Sequence, residues 1–227
     1  AVFRMHEVFS ATATSVIEVG PRPVEQEAEI LEPKLSWESA RDLLNEHEED
    51  ESLEAYEFVF DSPFVPVGPQ LAAYAKPSFD AGRPLVDAVA DLSHRIHKEF
   101  KYEPKSTSIE MPLLEVLENR RGVCQDFAHV MIGALRTVGL AARYVSGYLR
   151  SGADHQGAEA SHAWVGVFVP GYGWLDVDPT NNARAGLGHV TLGWGRDYAD
   201  VTPVKGITHG GGRQAVDVEV RVDPIEG

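Results

Sequence analysis

From Pro84 onward the apolar positions Leu85, Val89, Leu92, Ile96 and Phe100 recur every three to four residues, which predicts an amphipathic helix with proline in its first turn. Pro112 opens a shorter helix through Leu113, Leu114 and Leu117, broken by Arg120-Arg121-Gly122. A third helix begins at Cys124, turns Phe127, Met131, Ile132, Leu135 and Val138 to its buried side, and stops at Gly139. The period then changes to two. Strands are predicted over Ala142 to Leu149, Ala163 to Val169 and Trp174 to Val177, with a polar, glycine-rich loop from Ser151 to Ala160. Upstream, Val2 to Val24 is rich in Val, Phe, Thr and Ile without helical spacing and reads as strands, ending at Gly20-Pro21-Arg22-Pro23. Residues 35 to 50 read as a short polar helix, and Tyr56-Glu57-Phe58-Val59-Phe60 alternates like a strand. The tail from Val216 to Val222 alternates after Gly210-Gly211-Gly212 and reads as a further strand. Helices followed by antiparallel strands predict an α+β fold. The expected organisation is a β-rich accessory region over 1–75, a core over 76–205 and a C-terminal strand extension over 206–227.

Side-chain alternation places His162, Trp164 and Phe168 on one face of their strand, and Trp174, Asp176 and Asp178 on one face of the next. Pro170-Gly171-Tyr172-Gly173 marks a turn, so the two strands form a hairpin. A four-residue loop pairing Val169 with Trp174 would put His162 and Asp178 on opposite faces. A three- or five-residue loop, or a bulge, unites them, and one of these is expected.

Composition narrows the function classes. With 227 residues and 43% hydrophobic content, the chain can bury one sizeable core and a smaller second one. Its 35 acidic residues against 20 basic ones give a net charge of -15, which argues against nucleic acid as a partner. The acidity is densest between Glu25 and Glu54, a stretch that reads as a solvated connection and lacks the glycine spacing of a calcium loop. No stretch approaches the roughly 20 apolar residues of a membrane span, and the start lacks the pattern of a secretory signal. The chain begins with alanine, as a trimmed product does, so a removed leader stays open. A single cysteine forbids an internal disulfide and agrees with a reducing compartment, which leans the localisation towards the cytoplasm.

That cysteine carries the chemistry. Cys124 opens a helix, where unpaired N–H groups favour thiolate over thiol. His162 and Asp178 follow in chain order, supplying the base and orienting carboxylate that a cysteine nucleophile needs. Taken singly, each has a structural explanation: a small buried hydrophobe, a sheet histidine, and a turn-initiating aspartate before Pro179. Asp176 competes with Asp178 by face. The Cys124 backbone N–H is a candidate oxyanion donor; a second is unassigned, with Tyr102 and Gln125 as alternatives. Trp164, Trp174, Tyr148 and Trp194 either wall a substrate groove or pack the core, Trp164 being the candidate substrate-binding residue. His94 and His97 are spaced i, i+3 but lack further ligands for zinc, and His129 reads as structural. Arg196 and Asp197 either pair with each other or line the cleft.

The segments Gly122-Val123-Cys124-Gln125-Asp126-Phe127-Ala128-His129, Ala142-Arg143-Tyr144-Val145-Ser146-Gly147-Tyr148, Ser161-His162-Ala163-Trp164-Val165 and Asp178-Pro179-Thr180-Asn181 resemble the bacterial transglutaminase-like family. Gly195-Arg196-Asp197-Tyr198-Ala199-Asp200-Val201 resembles a late motif of that family, and the likeness covers about residues 82 to 222, with a weaker one to the family's N-terminal β-region. It implies a papain-like core with Cys124 as nucleophile, His162 as base and later acid, and Asp178 rather than Asp176 holding the imidazole. It further implies acyl transfer on a protein or peptide amide through a thioester, without metal or organic cofactor. Hydrolysis is favoured over cross-linking. The alternative from another class is a non-catalytic peptide-binding module on the same fold. Oligomeric state is not legible.

Overall fold

The computed structural model describes residues 10–20, 35–46, 50–104, 111–150, 156–157, 160–202 and 218–225. The described residues contain the α-helices α1 (Trp37–Glu46), α2 (Asp50–Tyr56), α3 (Pro69–Ala75), α4 (Leu85–Glu99), α5 (Leu113–Asn119) and α6 (Cys124–Thr137). Lys101–Tyr102 (β1) and Arg121–Gly122 (β2) pair in parallel just before α6. Then come β3 (Ala142–Leu149), β4 (His162–Val169), β5 (Gly173–Asp178), β6 (Ala183–Arg184) and β7 (His189–Gly195). These five form one antiparallel sheet in the order β6-β5-β4-β3-β7. The α+β expectation holds.

The helix boundaries follow the local chemistry. Pro84 and Pro112 are the residues that precede α4 and α5, where proline's fixed φ and missing N–H do no harm. Arg120 ends α5 in the left-handed region at φ 53°, and Gly139 turns the chain after α6 at φ 81°. α6 is the central element. Phe127, Val130, Met131, Ile132, Ala134 and Leu135 are buried against Ala163, Val165, Val167 and Val169, the odd-numbered face of β4. Each of the larger of these side chains, Val, Leu, Ile, Phe or Met, contributes roughly 1.5–3 kcal/mol when fully buried. The thiol-bearing turn is therefore anchored by a packed helix.

The N-terminal region differs from expectation. The helix expected over 35 to 50 is present as α1, but Ser10 to Gly20 contain no strand, and Val2 to Ser10 and Pro21 to Val24 fall largely outside the described residues. Tyr56 to Phe60 do not form a strand either: they complete α2 and a 3-10 turn over Glu57–Val59. The apparent alternation is helical. The Tyr56 and Phe60 rings, four residues apart, meet edge-on at 5.2 Å, and Phe58 turns inward against Trp174. Ala40, Val65, Leu71 and Ala75 join the same apolar cluster as α6, and the described residues of 35–75 hold α1, α2, the 3-10 turn and α3 with only isolated bridges at Ser36 and between Ser62 and Val65, rather than a β-rich region. The tail is also corrected. Residues 218–222 are described without a strand, and the rest of that expectation, with Gly210 to Gly212, lies outside the described residues.

Arg136, near the end of α6, ties these parts together. Its buried guanidinium donates to the carbonyls of Phe58, Ala142 and Arg196 and to the Ser62 hydroxyl, at 2.6 to 3.2 Å. Burial pulls its pKa down to about 10, against the opposing pull of Asp197 and Asp61.

Candidate active site

The hairpin decides the parity. Val169 pairs with Gly173 across the three residues Pro170, Gly171 and Tyr172, so even-numbered residues of β4 and β5 share a face. His162 and Asp178 therefore lie on one side. The His162 Nε2 donates to Asp178 Oδ2 at 2.8 Å, with both side chains fully buried. Asp176, the competitor by face, instead accepts from the Trp164 indole N–H at 2.8 Å.

Cys124 is the first residue of α6, where backbone N–H groups have no intrahelical acceptor. The turn that delivers it is closed by Asp126, whose carboxylate accepts the Val123 N–H at 2.8 Å. Gly122 makes room for that carboxylate. A Cβ there would come within 2.5 Å of Asp126 Oδ2 and 2.7 Å of its Cβ. Cys124 Sγ lies 4.0 Å from the carbonyl oxygen of Ser161, the residue before His162. Only 8% of Cys124 is exposed.

With Nε2 on Asp178, the free edge of the imidazole is Nδ1, which has no hydrogen-bond partner among the described residues. Burial alone would lower the ring's pKa. Hydrogen bonding to Asp178, the nearby Cys124 sulfur and the negative charge of both outweigh it and raise the pKa to about 10. Asp178 is held far below the usual carboxylate range: burial opposes this, but donors from His162, His189 and Asn181 prevail. Above Nδ1 sits Gly157, at φ 88°. A Cβ there would stand 2.7 Å from Nδ1 and 3.4 Å from the Tyr102 hydroxyl, so Gly157 roofs the imidazole and Tyr102 borders the same space.

The other expected residues separate. Trp164, expected at the groove wall, is fully buried with Val145 and Ala185 and offers a substrate no surface, a correction that follows from its indole being turned inward to Asp176. Trp174 and Trp194 stack on either side of the Arg143 guanidinium, at 4.1 and 4.5 Å. They line a recess of about 740 Å³ with Phe58, Phe168 and Glu54, apart from the Cys124 helix start. Tyr148 is half-buried on β3 and Gln125 half-buried on the first turn of α6. Arg196 and Asp197 do not pair: Arg196 forks onto Asp200 at 3.0 Å, while buried Asp197 accepts the N–H groups of Phe64 and Ala199. His129 is structural, accepting the Tyr198 N–H at 3.2 Å, with burial lowering its pKa to about 4. His97 binds the Thr180 carbonyl and His94 meets Asn182; among the described residues no cluster fit for a metal occurs. Nor, among them, is any helix long and apolar enough to cross a membrane.

One residue escaped sequence reasoning. His189 reaches Asp178 Oδ2 with its Nε2 at 3.3 Å. It stands at the start of β7, on the far edge of the sheet from β6, and reaches the carboxylate because residues 185–188 cross the sheet face, with Ala185 packed on Trp164. No spacing rule connects a histidine to a partner through such a crossover.

Comparison with known proteins bears on this geometry. Residues 72–179 match the model of the transglutaminase-like superfamily. An uncharacterised protein of Mycobacterium tuberculosis is 40% identical over 234 residues, covering 98% of this chain and 72% of that protein. A protein-glutamine gamma-glutamyltransferase of Pseudomonas aeruginosa is 29% identical over 123 residues, 44% of this chain and 18% of that protein. Among solved structures, a Cytophaga hutchinsonii protein named "Putative Cysteine Protease" superposes with a TM-score of 0.57 at 27% identity, over 66% of this chain. This chain spans about half of that structure, 49% of its length.

Proposed function

The chain belongs to the transglutaminase-like superfamily, and from that premise we propose that it is a cysteine-dependent acyl-transfer enzyme acting on amide bonds of a protein or peptide. The observation that carries this reading is the His162 ring, fixed through Nε2 to Asp178 and turning Nδ1 towards the side where Cys124 opens its helix. Cys124 is the nucleophile, His162 the acid and base, and Asp178 the group that sets the imidazole's tautomer and orientation.

The Cys124 thiolate attacks the amide carbonyl carbon, and the carbonyl oxygen takes the negative charge. The Cys124 backbone N–H is one donor to that oxyanion, and Tyr102 is favoured over Gln125 as the second because its hydroxyl borders the space above His162 Nδ1. The C–N bond breaks as His162 gives its proton to the leaving amine, which leaves a thioester on sulfur. Water or a primary amine then attacks the thioester, losing a proton to His162, and the thiolate is regenerated. Hydrolysis is the favoured outcome.

Reactivity of Cys124 tests the reading. A catalytic thiol alkylates with iodoacetamide faster than a model thiol at neutral pH and loses that advantage in His162→Ala. Slow, equal labelling of both proteins would overturn catalysis in favour of a peptide-binding module. Mass analysis of a glutamine-containing peptide, with and without a primary amine, then separates hydrolysis from transamidation.

A further inference from the structure

The Asp178 carboxylate is crowded with donors. Its Oδ1 accepts the backbone N–H groups of Thr180 and Asn181, at 2.9 and 3.2 Å. Its Oδ2 takes His162 Nε2 and Asn181 Nδ2 at 2.8 Å each, and His189 Nε2 at 3.3 Å. Two imidazoles thus share one oxygen. The second is held firmly: the Gly186 N–H lies 3.3 Å from His189 Nδ1, and a backbone N–H can only donate. Nδ1 must then be the bare nitrogen, which leaves the proton of neutral His189 on Nε2, pointing at Asp178. The ring packs edge-on against Trp164 at 5.2 Å, and Trp164 is itself pinned by its N–H to Asp176. The buried line Asp176, Trp164, His189 ends on the proposed catalytic carboxylate.

We propose that His189 is a positioning residue of the active site, a second imidazole donor that fixes Asp178 Oδ2 and takes up part of its negative charge. The inference rests on the acyl-transfer reading for its relevance to catalysis, but its geometry stands without it. The charge Asp178 shares with His189 is withheld from His162. Removing that donor leaves the carboxylate pulling harder on the His162 proton, so His162 becomes more basic. The titratable groups facing His162 are Asp178, Cys124 and the His189 ring, whose centroid is 6.5 Å away, with the Tyr102 hydroxyl beyond Gly157; those facing Asp178 are the two histidines. This arrangement also gives Trp164 and Asp176 their use, as supports rather than substrate contacts.

Nitrogen NMR of the full chain labelled at histidine tests it, in a Cys124→Ala background so that the thiol does not act on His162. His189 should show a protonated Nε2 and a bare Nδ1 at neutral pH. In His189→Phe, which keeps a ring against Trp164 but has no donor, the His162 midpoint should rise by about one pH unit, a tenfold gain in proton affinity. His189→Gln, which restores a donor near the Nε2 position, should return it to the starting value. A proton on His189 Nδ1, or an unmoved His162 midpoint in His189→Phe, would overturn the proposal. Should His189→Phe not fold, the tautomer and the midpoint in His189→Leu decide. An inert Cys124 in the alkylation assay would sink the acyl-transfer reading alone, since the tautomer and midpoint do not depend on it.

Discussion

Asp178 concentrates the chemistry of this site in one side chain. A carboxylate with no exposed surface survives burial because five N–H donors surround it, two of them imidazoles. His162, with a folded pKa of about 10 against an ordinary 6.5, contributes stability that is fully present below pH 6.5 and lost as pH rises through 10. Asp178→Asn keeps the shape and removes the charge. It should lower the alkaline limb of kcat/KM from near pH 10, where His162 loses its proton, and cut kcat by roughly 10³–10⁴-fold. A pH-rate profile on any turned-over amide substrate checks both. The His162–Asp178 pair was legible only in part: the two-residue period left open both the hairpin's parity and the choice between Asp176 and Asp178, the family resemblance favoured Asp178, and the three-residue loop of the structure brings it onto the face of His162. His189 was not, since its position depends on a crossover that hydrophobic patterning does not encode.

At the scale of elements, the decisive unit is the tight entry into α6. Gly122 lets the Asp126 carboxylate fold back onto the Val123 N–H, and that bond sets the direction from which Cys124 enters the helix. Gly122→Ala should force the two apart, lowering the melting temperature by several degrees and slowing Cys124 alkylation, measured by calorimetry and iodoacetamide labelling. Helices begun by Pro84 and Pro112, and the strands after Gly139, were readable because proline, glycine and long periodic runs act locally. The short run from Tyr56 to Phe60 was not. Five residues fit a period of two or of 3.6 equally well, and the choice falls to tertiary contacts such as Phe58 against Trp174. β7 was missed for a related reason: His189 to Gly195 is interrupted by glycine, and its half-exposed edge carries weak alternation.

Across the whole molecule, buried polar residues mark where separate segments are locked together. His129 is neutral in the core, stacked on Phe64 and bonded to the Tyr198 N–H, with a folded pKa of about 4 against 6.5 when unfolded. The unfolded chain therefore binds the extra proton between those values, so this contribution to stability is complete above pH 6.5 and falls away as pH drops towards 4. It amounts to roughly 3 kcal/mol. Urea midpoints taken at pH 7.5 and 4.5 should differ markedly in the native chain and much less in His129→Gln. The Arg136 guanidinium does comparable work without titrating in that range, gripping carbonyls at residues 58, 142 and 196. Anyone who clips this protein to a minimal fragment beginning near residue 76 would strand a buried cation with two of its acceptors, Phe58 and Ser62, discarded. The shortest useful version must start upstream of them.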